Sequence, residues 1–128
     1  MGKPRIQRLG DLQLRILKVL WKQREVTVAE VQAALRDHAD LAYTTVATML
    51  RKMETRGLVA HRAEGRSFIY AARVAVQDVT QSMSDHLMER MFEGSLAGIV
   101  SHLLTTREVS REELDQLERL IAERKKRA

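Results

Sequence analysis

The spacing of apolar residues predicts a first helix over about Asp11–Gln23. Leu12, Ile16 and Val19 recur at intervals of three or four residues, and Leu20 lies beside them. This spacing places the side chains on one face of an α-helix. The first element is therefore an amphipathic helix with one face available for a core.

A second helix has a marked start. Thr27 and Glu30 stand in the arrangement of a capping box, in which each side chain accepts a hydrogen bond from the other residue's backbone N–H. Val26 and Val31 can pack across this start as a hydrophobic staple. The polar run Arg36–Asp40 predicts a turn after the helix.

A third helix is predicted over about Tyr43–Arg56. Gly57 fits the left-handed position just past a helix end, and Leu58 fits the apolar contact that follows it. The two faces of this helix differ in character. Apolar side chains form one face, namely Val46, Met49, Leu50 and Met53, and hydroxyls and cations form the other, namely Thr44, Thr45, Thr48, Arg51, Lys52 and Thr55.

After the third helix the pattern becomes strand-like. Leu58–Arg62 and Ser67–Ala71 are short runs rich in β-forming residues, and a Glu-Gly turn lies between them. We therefore predict a β-hairpin with Arg62 and Arg66 near its tip. Three helices followed by a hairpin wing is the element order of a winged helix-turn-helix, so the predicted fold class is mainly α.

From about Val76 the chain is predicted to be helical again. Glu93–Ser95 interrupts the apolar stripe, Ser95 can cap a new helix, and Ser110 and Glu113 form a second capping box. These amphipathic helices have little core of their own, so dimerisation is the economical way to bury their apolar faces. The side chains expected in the dimer interface are Met83, Leu87, Met91, Phe92, Leu96, Ile99, Val100, Leu103, Leu117 and Ile121.

The balance of charge changes near residue 74, close to the start of the C-terminal helices. The 128 residues include 22 Lys and Arg and 17 Asp and Glu, a net charge of +5. Residues 1–73 hold 14 basic and 7 acidic side chains, whereas residues 74–128 hold 8 and 10. A basic first half suits contact with a polyanion. We therefore predict a winged-helix DNA-binding domain over 1–73 and a helical dimerisation domain over 74–128.

Other kinds of chemistry have no candidate residues. The chain has no Cys, and its four His show neither an HExxH motif nor pairing at i, i+4, so no metal or other cofactor is expected. No nucleophile elbow or Gly-rich phosphate loop occurs, which leaves an enzyme without support. No secretory leader and no membrane-spanning run is recognisable, so a cytoplasmic protein without membrane insertion is expected.

The outer face of the third helix separates two function classes. Hydroxyls and cations without a carboxylate suit phosphates and base edges, whereas a protein-docking face should expose apolar anchors. Double-stranded DNA is therefore the expected partner, and a winged helix that only docks proteins is the alternative. Tyr43 suits packing at the helix start as well as contact with DNA, and Tyr70 is interpreted as wing packing. The predicted DNA contacts are Tyr43, Thr44, Thr45, Thr48, Arg51, Lys52, Arg62 and Arg66.

Five short segments follow one another in an order that is more specific than any one of them. They are Leu12–Trp21, Ala42–Leu50, Gly57–Val59, Glu64–Arg66 with Tyr70 after it, and Phe92–Ser95. This set resembles the penicillinase/methicillin-resistance repressor family, of the BlaI/MecI type, over nearly the whole chain. The resemblance implies a homodimeric transcriptional repressor that binds a palindromic operator upstream of β-lactamase-type genes or of a gene for a membrane sensor protease.

The resemblance also implies a route of induction. In the best-known members of the family, a sensor-linked protease cuts an Asn-Phe bond in the dimerisation helix. The matching pair here, counted back from Val109, is His102 and Leu103. Because this pair departs from the family pattern, we expect any cleavage to need a protease of different preference. A copper-sensing branch of the superfamily carries a cysteine cluster, which a chain without Cys does not have.

Overall fold

The computed structural model describes residue 6 and residues 9–128 of the chain. Its elements confirm the predicted helices and hairpin. The described residues up to His86 form one compact unit and Leu87–Ala128 form a second. The elements are α1 Asp11–Gln23, β1 Val26–Thr27, α2 Val28–Ala34, α3 Tyr43–Thr55, β2 Val59–Glu64, β3 Ser67–Ala72, α4 Val76–Met91, α5 Leu96–Thr106 and α6 Arg111–Lys126.

The start of α2 is held by the predicted capping box. The Thr27 hydroxyl accepts a hydrogen bond from the Glu30 N–H at 3.1 Å, and the Glu30 carboxylate accepts one from the Thr27 N–H at 2.9 Å. Val26 and Val31 are both buried beside it. Two backbone donors that α2 itself cannot satisfy are thereby satisfied.

The end of α3 is fixed by Gly57, which has a φ of 80°. The Gly57 N–H donates to the Glu54 carbonyl at 2.9 Å, and the Leu58 N–H donates to the Met53 carbonyl at 3.0 Å. This pair of bonds is the Schellman motif. Leu58 is fully buried, so the same motif sends the chain from α3 into the core and on to β2.

The sheet contains one strand more than the sequence predicts. The strand order is β1-β3-β2, with antiparallel pairing throughout, and Val26 and Thr27 of β1 lie opposite Tyr70 and Ile69 of β3. A strand of two residues is too short to show the alternation by which strands are recognised. Its pairing with β3 depends on residues more than forty positions away, so no local pattern predicts it.

The core of the first unit lies between its helices and the sheet. Trp21 packs against this core, and its indole N–H donates a hydrogen bond to the Val74 carbonyl at 2.8 Å. The fully or nearly fully buried side chains are Ile16, Leu17, Leu20, Val26, Val28, Val31, Leu35, Val46, Leu50, Met53, Leu58, Val59, Tyr70, Val74 and Val79.

The second unit has helices but no buried core. The predicted interruption is confirmed at Glu93 and Gly94, which have φ values of 50° and 79°. Ser95 caps α5 by accepting a hydrogen bond from the Gly98 N–H at 2.9 Å, and Ser110 caps α6 in the same way. No side chain in residues 87–128 is fully buried, so these helices leave their apolar faces open within one subunit.

Candidate nucleic-acid interface

One face of α3 is fixed by the core, which sets the direction of the other. Val46, Leu50 and Met53 are completely buried. Positions three and four residues apart share a face of a helix, so these three side chains define the inner face of α3. The exposed side chains on the outer face are Thr44, Thr45, Thr48, Arg51, Lys52 and Thr55, as the sequence predicts.

The outer face of α3 is cationic. An Arg51 guanidinium nitrogen lies 3.4 Å from the Thr48 hydroxyl, and the Thr55 hydroxyl donates to the Arg51 carbonyl at 3.1 Å. The one carboxylate of α3, Glu54, is half-buried and accepts a hydrogen bond from His61 Nδ1 of β2 at 2.6 Å. The carboxylate is thus turned to the hairpin, and it leaves the cations of α3 without an acidic neighbour on their own face.

A cleft of about 300 Å³ separates α3 from the hairpin. Tyr43 and Arg51 line it from α3, and Arg66 lines it from the hairpin turn. Tyr43 is 53% exposed, so its ring contributes to the surface and not only to packing. The fold therefore brings three of the predicted DNA contacts, distant in sequence, to one cleft beside the outer face of α3.

Arg62 does not join that cleft. It lies opposite Ile69 of β3 in the sheet. Its guanidinium forms ion pairs with two carboxylates, Glu64 at 2.6 Å and Glu25 at 3.3 Å. Residues in register share a face of a sheet, and neighbours along a strand alternate between faces. His61, next to Arg62, faces Glu54 of α3, so Arg62 lies on the opposite face.

The cleft contains one aromatic residue that the sequence does not single out. Phe68 is 48% exposed and lines the cleft, and its ring centroid lies 4.3 Å from that of His61. The alternation of Phe68 with Tyr70 along β3 places both on one face and is the feature that could have identified it. Tyr70 itself is buried, which confirms its interpretation as wing packing. Burial, followed by the negative charge of Glu54, raises the pKa of the Tyr70 hydroxyl.

The residues predicted for the dimer interface are accessible in the single chain. Met91 and Leu96 are the most exposed of them, at 70% and 68%. The other exposed members are Met83, Leu87, Val100, Leu103 and Ile121, and the half-buried members are Phe92, Ile99 and Leu117.

The predicted cleavage pair lies inside a helix. His102 and Leu103 belong to α5, four positions or fewer from its end at Thr106. The His102 ring packs near the Phe92 ring, with centroids 5.8 Å apart. The bond between His102 and Leu103 is therefore held in helical backbone, and a protease that needs an extended chain must first open the end of α5.

Within the described part of the chain, no three His, Asp or Glu side chains come together in a way that could hold a metal ion. No helix among the described residues is long and apolar enough to cross a membrane.

Together, the three-helix unit, the hairpin and the cationic outer face of α3 define a winged helix-turn-helix DNA-binding protein. Residues 9–123 match the penicillinase repressor family. The chain therefore belongs to that family, and it is a DNA-binding transcriptional repressor.

Individual relatives agree with this assignment. A penicillinase repressor of Bacillus licheniformis is 28% identical over 123 residues, covering 96% of each chain. The transcriptional regulator BlaI of Mycobacterium tuberculosis is 33% identical over 121 residues, covering 93% of this chain and 86% of the relative. A solution structure of the DNA-binding domain of the repressor BlaI superposes with a TM-score of 0.52 at 29% identity, over 59% of this chain and 93% of that one.

Proposed function

We propose that the protein represses transcription as a homodimer that binds a palindromic operator in the cytoplasm, by binding alone and without a catalytic step. The observation that carries this proposal is the outer face of α3, which the buried positions Val46, Leu50 and Met53 turn away from the core. A helix of this kind can enter the major groove, where its side chains meet base edges.

The side chains divide into two roles. We assign Thr48 and Arg51, in the middle of the outer face of α3, to base edges, with Thr44 and Thr45 one turn before Thr48. Lys52 and Tyr43 at the margins, and Arg66 on the hairpin turn, are placed for phosphates. Phosphate contacts set register and base contacts set sequence preference.

The second unit supports the proposed dimer. Its helices carry exposed apolar side chains and bury none of them within one subunit. Two copies with two-fold symmetry would cover these faces and present two α3 helices to one duplex. The operator of such a dimer is palindromic, because the symmetry of the protein is repeated in its half-sites.

The first test is the salt dependence of operator binding. If the dimer neutralises about eight phosphates, the logarithm of the binding constant should fall against the logarithm of salt concentration with a slope of about −7. The duplex to use is the palindrome found upstream of the protein's own gene. A slope near zero would favour a winged helix that docks proteins.

The second test separates the two roles. Arg51→Ala and Thr48→Ala should each reduce discrimination between operator and altered bases, by about 1–3 kcal/mol for a strong base contact. Arg66→Ala should instead weaken binding to all sequences alike and reduce the salt slope by about one for each site. If Arg66→Ala relaxed sequence preference and the α3 variants did not, the roles would be reversed.

The regulated genes and the inducer form a second part of the proposal. A relative named as a penicillinase repressor supports β-lactamase-type genes as targets. The family resemblance implies a membrane sensor protease as the partner that relieves repression. Cleavage between His102 and Leu103 would remove α6 and part of α5 from the dimer interface. The separated halves would then lose the gain in effective concentration of a two-headed protein.

Induction can be tested directly in cells that express the protein. Fragments recovered after exposure to a β-lactam are mapped by mass spectrometry. We expect any cut to use a protease whose preference is not Asn-Phe. Derepression with the chain intact would contradict a proteolytic route and point to a ligand or to displacement by a partner.

A further inference from the structure

Arg62 is the centre of a three-residue ion-pair cluster on the hairpin. Its guanidinium binds the Glu64 carboxylate at 2.6 Å and the Glu25 carboxylate at 3.3 Å. All three side chains are more than half exposed, at 53%, 64% and 58%. We call Glu25, Arg62 and Glu64 the wing cluster.

The sheet register places the wing cluster on one face. Thr27 of β1 and Arg62 of β2 both lie opposite Ile69, on its two sides. Glu64 is two positions after Arg62 on the same strand, so alternation brings its carboxylate to the face that carries Arg62. Glu25 directly precedes β1, and the turn before the strand sets its position. The backbone therefore brings both carboxylates within reach of Arg62.

The turn between α1 and β1 fixes Glu25. Arg24 has a φ of 71° and a ψ of −65°, and the Glu25 N–H donates to the Gln23 carbonyl at 2.9 Å. This is a γ-turn, a tight reversal that non-glycine residues rarely adopt. It delivers Glu25 directly after the turn, next to the edge of the sheet.

The wing cluster makes this face of the hairpin negative in net charge. Its two carboxylates and one guanidinium sum to one net negative charge. The hydrogen bond to Glu64, and then the one to Glu25, raises the pKa of Arg62 above its ordinary value. Among the described residues, no ion pair is found for Arg66, so Arg66 is the hairpin cation available to a phosphate.

We propose that Glu25 and Glu64 act as an acidic brake on operator binding. Arg62 lies on the face of the hairpin opposite the cleft, and these carboxylates hold the guanidinium that a phosphate beside that face would otherwise bind. This inference rests on the proposed function. A phosphate that approaches Arg62 must displace a carboxylate from it and meets the repulsion of the other. Because phosphates carry no sequence information, the brake acts equally on operator and random DNA.

The test measures DNA affinity in charge-neutral variants of the full chain. Glu25→Gln and Glu64→Gln should each tighten binding by about two- to fivefold near 0.1 M salt, the scale of exposed ion pairs. In the double variant the salt slope should steepen by about 0.9 for each subunit, as Arg62 gains a phosphate. Glu118→Gln on α6 is the matched control, since it makes the same change in net charge outside the wing cluster, and it should have no comparable effect.

Arg62→Ala completes the design. In the double variant it should abolish the added steepness of the salt slope, because the phosphate contact is Arg62 itself. The Glu25→Gln and Glu64→Gln variants should bind operator and random duplexes more tightly by the same factor. If the double variant had the same affinity and the same salt slope as the parent protein, the brake would be overturned. The proposed function would still stand as long as the parent protein bound the operator. A change in the ratio of operator to random affinity would also overturn it, since that would assign the cluster to base recognition.

Discussion

At the residue scale, single side chains set where the elements end and which way the outer face of α3 points. Gly57 is the clearest case, with a φ of 80° and both hydrogen bonds of the Schellman motif. An L-residue with a Cβ is disfavoured in this conformation. The residue type, and not a packing contact, is what allows the chain to leave α3 and enter β2.

Gly57→Ala should therefore destabilise the first unit by about 1–2 kcal/mol. Gly57→Asn is the matched variant, because Asn tolerates the left-handed conformation, and it should lose less. Urea unfolding followed by the fluorescence of Trp21, the only Trp in the chain, measures both. Equal stability of the Ala and Asn variants would contradict this account of the turn.

At the element scale, α2 shows how a short helix is stabilised. It has only seven residues, fewer than an isolated helix needs in water. The Thr27 and Glu30 capping box holds its start, and the buried Val28 and Val31 hold its inner face. Since α2 packs with α3 in one core, its start also supports the position of α3.

Thr27→Ala should lower the free energy of unfolding by about 1 kcal/mol, because the Glu30 N–H loses its acceptor. Thr27→Ser keeps a hydroxyl at the same position and should retain most of the stability. The same fluorescence-detected unfolding compares the two. If Ser were as destabilising as Ala, the lost methyl group and not the cap would explain the change.

At the scale of the whole molecule, the second unit carries the proposed dimer interface. None of its apolar side chains is fully buried in the single chain, and Ile121 on α6 is 54% exposed. An exposed apolar face of this kind is characteristic of an interface. The proposed dimer would therefore make repression depend on residues that are distant in sequence from α3.

Ile121→Glu should shift the protein from dimer to monomer and weaken operator binding by about a hundredfold, the gain expected from linking two half-sites. Gln116→Glu introduces the same charge at a polar position of α6 and should leave the dimer intact. Sedimentation at micromolar concentration gives the oligomeric state. A parent protein that sediments as a monomer would end the dimer proposal.

Much of the fold follows from the sequence because its determinants are local. Periodicity located the helices, the residues at Thr27, Ser95 and Ser110 marked their starts, and Gly57 marked the end of α3. The outer face of α3 was predictable for the same reason, since one helix carries both its buried and its exposed side. Each of these features is encoded within a few residues of where it appears.

The sequence by itself therefore determined the order of the elements and the chemistry of α3. Strand pairing decided on which face of the hairpin each of its arginines lies. Arg62 and Arg66 look equivalent in sequence, but Arg66 lines the cleft beside α3 and Arg62 binds Glu25 and Glu64 on the other face. Register depends on backbone hydrogen bonds between distant segments, including a β1 strand of two residues. A shift of one residue would exchange the two faces, and no local pattern in the chain specifies that choice.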